Sequence, residues 1–190
     1  MTAKRRKLTG LQAKIDRPIA LVGMMGAGKT TVGRRLAHAL ELPFRDVDAE
    51  IESASGLTVS ELFSKHGEES FRKGEAQVIE RLLGGAPLVI ATGGGALTTA
   101  ATRALIAESA ISIWIRADID TLVKRATKRP TRPLLKNGDP RAIILELLAQ
   151  RTAFYEAANI VVDTSAGNHS QTVEAIIKQL SLYLCGAHDL

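Results

Sequence analysis

Eight residues, Gly23-Met24-Met25-Gly26-Ala27-Gly28-Lys29-Thr30, satisfy the spacing G-x-x-x-x-G-K-[ST]. Their surroundings give the match mechanical meaning. Residues 18–22 (Pro-Ile-Ala-Leu-Val) are a short apolar run suited to a buried parallel strand. Residues 29–40 carry Val32, Leu36, Ala39 and Leu40 at helical spacing. A strand, a glycine loop and a helix in that order aim backbone N–H groups and the positive end of a helix at phosphate oxygens. Gly26, Ala27, Gly28, Lys29, Thr30 and Thr31 are therefore the candidate triphosphate contacts. Lys29 is expected to reach the β- and γ-phosphates, and the Thr30 hydroxyl to ligate Mg²⁺. The motif implies a nucleoside triphosphate as ligand.

The rest of the chain alternates in the same way. Pro43 breaks before a second strand candidate, Phe44–Asp48, and a helical pattern follows from Ala49 to Leu83, interrupted at Gly56 and Gly67. Leu88–Ala91 reads as a buried strand closed by Thr92-Gly93-Gly94-Gly95, with a helix from Thr98 to Glu108 and a strand at Ile111–Ile115. Asp118 suits a helix N-cap, and Asp139-Pro140 opens a helix through Ala157 with proline where its missing N–H costs little. Ile160–Val162 is the last strand, and Thr172–Leu184 the last helix. This predicts a three-layer α/β/α domain with a central five-stranded parallel sheet over residues 18–184. Residues 127–139 (TKRPTRPLLKNGD) read as a mobile lid whose closure would exclude water from a phosphoryl transfer.

Composition narrows the classes. One cysteine, Cys185, fits a reducing compartment and a cytoplasmic protein. The longest apolar run, Ile111–Ile115, is broken by Ser112, far from the ~18 residues of a membrane span. The basic N-terminus has no apolar stretch behind it, so no secretory signal is read. Residues 1–17 hold Lys4, Arg5, Arg6, Lys7, Lys14 and Arg17 against Asp16, which accounts for the whole chain's formal +5. That segment reads as a solvated, disordered arm, and residues 185–190 as a tail. With the charge confined to an arm and aromatics at 4%, nucleic acid is not the expected partner. No amphipathic dimer stripe stands out, which points to a monomer.

Several constellations remain open on spacing alone. Asp46 and Asp48, two apart on the expected strand, would share a face; one could orient Mg²⁺ through water and the other accept a hydroxyl proton, or both could cap a helix. Arg72 and Glu75 are i, i+3 on a helix, the spacing of an ordinary surface ion pair. The run Gly93-Gly94-Gly95 offers backbone amides to a small ligand or makes a tight turn. Arg132-Pro133-Leu134-Leu135 lies in the lid, with Arg125 seven residues earlier, and Arg151 shares a helix face with Tyr155. The four histidines, His38, His66, His169 and His188, show no metal-ligand spacing and read as structural or solvated.

Taken in order, Gly-Met-Met-Gly-Ala-Gly-Lys-Thr-Thr-Val-Gly, Phe-x-Asp-x-Asp, Gly-Glu-x-x-Phe-Arg-x-x-Glu, Gly-Gly-Gly, Arg-Pro-Leu-Leu and Arg-x-x-x-Tyr resemble shikimate kinase, of the nucleoside-monophosphate-kinase-like P-loop NTPase fold, from Ile19 to Leu182. The resemblance implies ATP and shikimate as substrates, with one Mg²⁺. It implies Asp48 as the candidate base that binds shikimate hydroxyls, in a substrate-binding segment at 48–83, and Asp46 as a metal partner through water. Arg72 and Arg151 would grip the shikimate carboxylate, which the guanidinium fork matches. Gly94 and Gly95 would approach substrate and γ-phosphate, Gly93 completing a Walker-B-like turn. Arg132 would swing in with the lid onto the transferring phosphate, Arg125 would stack on adenine, and Glu75 would orient a substrate-site arginine. The resemblance implies transfer of the ATP γ-phosphate to the 3-hydroxyl of shikimate, in aromatic amino-acid biosynthesis.

Rival readings differ in testable ways. A gluconate kinase would share the glycine loop and lid but not the set Arg72, Glu75 and Arg151-x-x-x-Tyr155. A nucleoside monophosphate kinase would need an acceptor-base pocket, for which there is no signal. A non-catalytic ATP-binding regulator would be expected to have lost Lys29, Asp46, Asp48, Arg72, Arg132 or Arg151, and all are present.

Overall fold

The computed structural model describes residues 10–128, 135, 138–164 and 168–186. Strands β1 (Ile19–Val22), β2 (Phe44–Asp46), β3 (Val89–Ala91), β4 (Ile111–Arg116) and β5 (Ile160–Asp163) form one parallel sheet in the order β2-β3-β1-β4-β5. β1 is its centre, pairing Ile19 with Val89 on one side and with Ile111 on the other. All four β1 side chains are buried, as a strand covered on both faces requires. The helices are α1 (Lys29–Ala39), α2 (Val47–Ser55), α3 (Val59–Leu83), α4 (Ala100–Ser109), α5 (Ile119–Ala126), α6 (Pro140–Glu156) and α7 (His169–Gly186). α1 packs against α7, α3 against α2 and α4, and α5 against α6. The five-stranded α/β/α architecture read from the sequence is the one observed.

Local chemistry fixes the element ends. Asp118 accepts the Thr121 N–H at 2.8 Å and Asp139 those of Arg141 and Ala142, so both expected caps are made. Thr58 and Glu61 form a reciprocal capping box at the start of α3. Gly67 breaks α3 at φ 77°, ψ 170°, a conformation open essentially to glycine alone. The residues after Gly67 thus start a second helical segment at Glu68.

Three boundaries differ from the sequence reading. β2 stops at Asp46, which caps α2 by accepting from Ala49 N, so Asp48 lies in the first helical turn and not on the strand. The two aspartates are near each other because the chain turns into a helix there; strand alternation plays no part. α7 begins at His169, three residues earlier than expected, and runs to Gly186. The packed unit also begins before Pro18: residues 10–12 are helical, and Leu11 and Ile15, at i, i+4, are buried in the core. Of the arm, 1–9 lie outside the described residues, as do most of the lid (129–134, 136 and 137) with Arg132, residues 165–167, and the tail 187–190. Among the described residues no helix is long and apolar enough to cross a membrane.

Candidate active site

The sheet's central strand delivers the glycine loop to the N-terminus of α1. Gly28 is that helix's N-cap at φ 96°, and no side chain caps it, so the first-turn N–H groups face the loop. Lys29 is buried and folds back over the loop, donating from Nζ to the Gly23 carbonyl at 2.6 Å and the Met24 carbonyl at 3.1 Å. These carbonyls hold a cation where the phosphates would lie. Thr30 is partly buried in the first turn of α1 and Thr31 exposed beside it. Arg125, reaching from α5, donates to the Ala27 carbonyl at 3.5 Å, and a Cβ on Gly28 would lie 3.5 Å from its NH1. Arg125 therefore flanks the triphosphate loop.

The end of β2 meets the start of α1 through Thr30, whose hydroxyl donates to Asp46 Oδ2 at 2.7 Å. Of the alternatives the sequence left open, the structure shows the cap: one Asp46 carboxylate oxygen caps α2, while the other accepts from Thr30 at the glycine loop. A hydroxyl and a carboxylate side by side are hard oxygen donors of the kind Mg²⁺ takes, with phosphates and water completing the shell. Among the described residues no cluster of three or more His, Cys, Asp or Glu could hold a metal by itself. The oxygen pair fits a cation that arrives with the nucleotide.

Asp48 lies between these groups and α3. Burial pushes its carboxyl above the usual aspartate range, the Asp46 charge adds to the rise, and Lys29 and Arg72 oppose it. Across from it, Arg72 NH1 donates to Glu75 Oε2 at 2.6 Å. Glu75 is 2% exposed and Arg72 13%, so the ordinary surface pair suggested by spacing does not apply. Burial raises the Glu75 carboxyl as well, against the pull of Arg72 and with a further push from Asp48. Its second oxygen, Oε1, is buried without a hydrogen-bond partner.

The glycine run after β3 is the floor of this site. A Cβ on Gly93 would collide with Glu75 Oε1 and lie 3.1 Å from Asp48 Oδ1; one on Gly94 would lie 2.9 Å from the Met25 N of the triphosphate loop. One on Gly95 would lie 2.6 Å from Arg72 Cζ. Absent side chains here let two loops and three charged groups converge. From α6, Arg151 and Tyr155 both donate to the Gly94 carbonyl, at 3.0 and 2.6 Å. Arg151 is 5% exposed with its Nε unpartnered, so it is not the solvated arginine its spacing allowed. Burial pushes the Tyr155 hydroxyl up to about 12, which keeps it a donor.

The fold therefore brings Lys29, Thr30, Asp46, Asp48, Arg72, Gly93, Gly94, Gly95 and Arg151 to one cleft beyond the carboxyl ends of β1, β2 and β3, where open parallel sheets place their ligands. Sequence reasoning gave no role to His169 or Glu68. His169 Nε2 lies 3.8 Å from a Cβ position on Gly28, and burial with Arg125 and Arg35 nearby lowers its pKa. Glu68 takes two N–H groups of Arg72. A lone histidine at the first turn of a helix carries no signal in sequence. Glu68 was visible only as the glutamate of Gly-Glu-x-x-Phe-Arg.

Comparison with known proteins agrees with this geometry. The shikimate kinase family model matches residues 25–181. A shikimate kinase of Bradyrhizobium diazoefficiens is 49% identical over 93% of this chain and 85% of its own length. One of Zymomonas mobilis is 49% identical over 86% and 93%. A shikimate kinase from Acinetobacter baumannii, solved in complex with shikimate, superposes with a TM-score of 0.85 at 38% identity, covering 89% of this chain and 94% of that one. A gluconokinase from Sinorhizobium meliloti, at TM-score 0.63 and 18% identity, shares the fold alone. With the family model spanning most of the domain and close to half of all positions shared with such relatives, the chain belongs to the shikimate kinase family.

Proposed function

We propose that this chain transfers the γ-phosphate of ATP to the 3-hydroxyl of shikimate, with Asp48 as the base and Arg72 and Arg151 as the carboxylate clamp. The observation that carries the reading is the juxtaposition of buried Arg151, partly buried Arg72 and the partly desolvated Asp48 carboxyl around a glycine floor, beside a triphosphate loop. Shikimate is small, polyhydroxylated and anionic, and that set is complementary to it. The guanidinium groups can meet its carboxylate in fork geometry, and the unpartnered Arg151 Nε supplies a donor already desolvated.

In this reading the loop amides, Lys29 and the α1 N-terminus hold the phosphates, with Gly26 to Thr31 as contacts and Arg125 against the base. Asp48, ionised, accepts the proton of the attacking hydroxyl as it bonds to the γ-phosphorus, and ADP leaves with the β–γ bridging oxygen. Gly94 and Gly95 present amides to the transferring group, and Arg132 from the lid adds positive charge there. Thr30 directly and Asp46 through water would hold Mg²⁺, which neutralises phosphate charge when bound. Glu75 fixes Arg72 by its 2.6 Å contact and acts through it. The enzyme works as a cytoplasmic monomer.

The test is ADP release with Mg-ATP and, in parallel, shikimate, gluconate or AMP. Release that depends on shikimate alone is expected. Turnover with gluconate and none with shikimate would overturn the acceptor assignment while keeping the kinase.

A further inference from the structure

Arg72 is held by two carboxylates of different kinds. Glu75 Oε2 takes NH1 at 2.6 Å from a buried position. Glu68 Oε1 takes both Nε, at 3.2 Å, and NH2, at 3.0 Å, from a side chain that is 49% exposed. A guanidinium offers a carboxylate two bidentate edges, Nε with NH2 and NH1 with NH2. Glu68 fills the first, and Glu75 occupies half of the second. A substrate carboxylate can take a full edge only if one of them leaves.

The surroundings decide which one. Glu75 is 2% exposed, with its free oxygen against Gly93, and has nowhere to go. Glu68 is the first residue after the break at Gly67 and its side chain is 49% exposed, so its carboxylate can swing into water. The rings of Phe63 and Phe71, with centroids 5.7 and 5.2 Å from Arg72 Cζ, hold the guanidinium in place when Glu68 departs.

We propose that Glu68 is a displaceable stand-in for the substrate carboxylate: it occupies the Nε/NH2 edge of Arg72 in the empty site and is expelled by shikimate, so that it sets acceptor affinity without entering the reaction. The inference rests on Arg72 being a carboxylate-binding residue. Glu68 is a positioning residue whose charge competes with the acceptor, and its removal strengthens acceptor binding. A carboxylate that merely supported Arg72 would have the opposite effect.

The experiment is steady-state turnover at saturating Mg-ATP with varied shikimate, together with calorimetric binding of shikimate, for wild type, Glu68→Gln, Glu69→Gln and Arg72→Ala. Glu69 pairs with Lys73 at 2.9 Å and supplies the control for charge removal on the same helix. Glu68→Gln is expected to lower both the shikimate KM and Kd by about two- to fivefold with kcat unchanged, since one ion pair whose carboxylate is half-exposed is given up. Glu69→Gln is expected to leave all three unchanged, and Arg72→Ala to raise KM and Kd at least tenfold. An unchanged or raised KM and Kd in Glu68→Gln, or an equal fall in Glu69→Gln, overturns the inference while the clamp stands. An unaffected KM in Arg72→Ala removes the clamp and the inference with it.

Discussion

Gly95→Ala separates the site from the fold more cleanly than loss of a charged group would. Gly95 has φ −110°, a conformation that alanine adopts freely, so the backbone is not strained by the change. The new methyl would lie 2.6 Å from Arg72 Cζ, 2.9 Å from NH1 and closer still to NH2. Ordinary contact between such atoms is about 3.5 Å, so the guanidinium must retreat by roughly 1 Å. It is the far end of a flexible side chain, and it can. The retreat draws NH1 away from Glu75 Oε2, now 2.6 Å distant, and displaces the edge that would grip a carboxylate. A misplacement of that size costs on the order of 10²-fold in kcat/KM, about 2.7 kcal/mol of transition-state stabilisation. Thermal unfolding should move by only a few degrees, because the buried core is untouched. The assay is coupled ADP release at fixed Mg-ATP with varied shikimate, beside the ATP KM, which should hold within twofold. A kcat/KM for shikimate within threefold of wild type would refute the reasoning, as would an equal loss in the ATP KM.

Lys29→Ala should lower kcat by at least about 10³-fold, since charge stabilisation carries most of a phosphoryl transfer, and turnover near wild type would undo the triphosphate assignment. Tyr155→Phe removes one of two donors to the Gly94 carbonyl and should destabilise by about 1 kcal/mol in chemical denaturation; no change would show the carbonyl satisfied by Arg151 alone. Deletion of residues 1–16 removes the buried Leu11 and Ile15 and should cost about 2–5 kcal/mol of stability, contrary to what a purely solvated arm would do; an unchanged midpoint would restore the arm reading.

The sheet and the triphosphate loop were legible because each depends on local pattern: apolar runs of strand length, glycines at fixed spacing, and caps such as Asp118 and Asp139 that act within three residues. The candidate acceptor site was legible only through the resemblance. On spacing alone, Arg72 and Glu75 looked like a surface pair and Arg151 like a solvated side chain, because burial is decided by what packs over a helix and not by the helix's own sequence. Gly93 and Gly95 show the same point. Their lack of a side chain matters for Glu75 and Arg72, about twenty residues away, and nothing in a glycine run says what it faces. The two aspartates were paired for the wrong reason, since a cap at Asp46 ended the strand two residues early.

Asp48 shows why such a site opposes stability, and how that can be measured. Its carboxyl pKa is raised in the folded protein, chiefly by burial. Between the ordinary aspartate value and that raised value, the folded state holds a proton that the unfolded state has lost, so stability falls as pH rises through the window. Above it both states are ionised, and the deficit is constant. Asp48→Asn removes the deficit, so the variant should unfold at higher temperature than wild type at pH 7–8, with the difference closing near pH 4. The same substitution should lower kcat by about 10²–10⁴-fold if the carboxylate is the base. Wild-type kcat/KM, which reports the free enzyme, should lose activity on its acid side above the usual aspartate range. A variant that is inactive yet no more stable at pH 7–8 would mean that the neighbouring cations, Lys29 and Arg72, outweigh burial in the folded protein. In that case the acid limb should lie at or below the usual aspartate range, and the two measurements must shift together because one proton governs both.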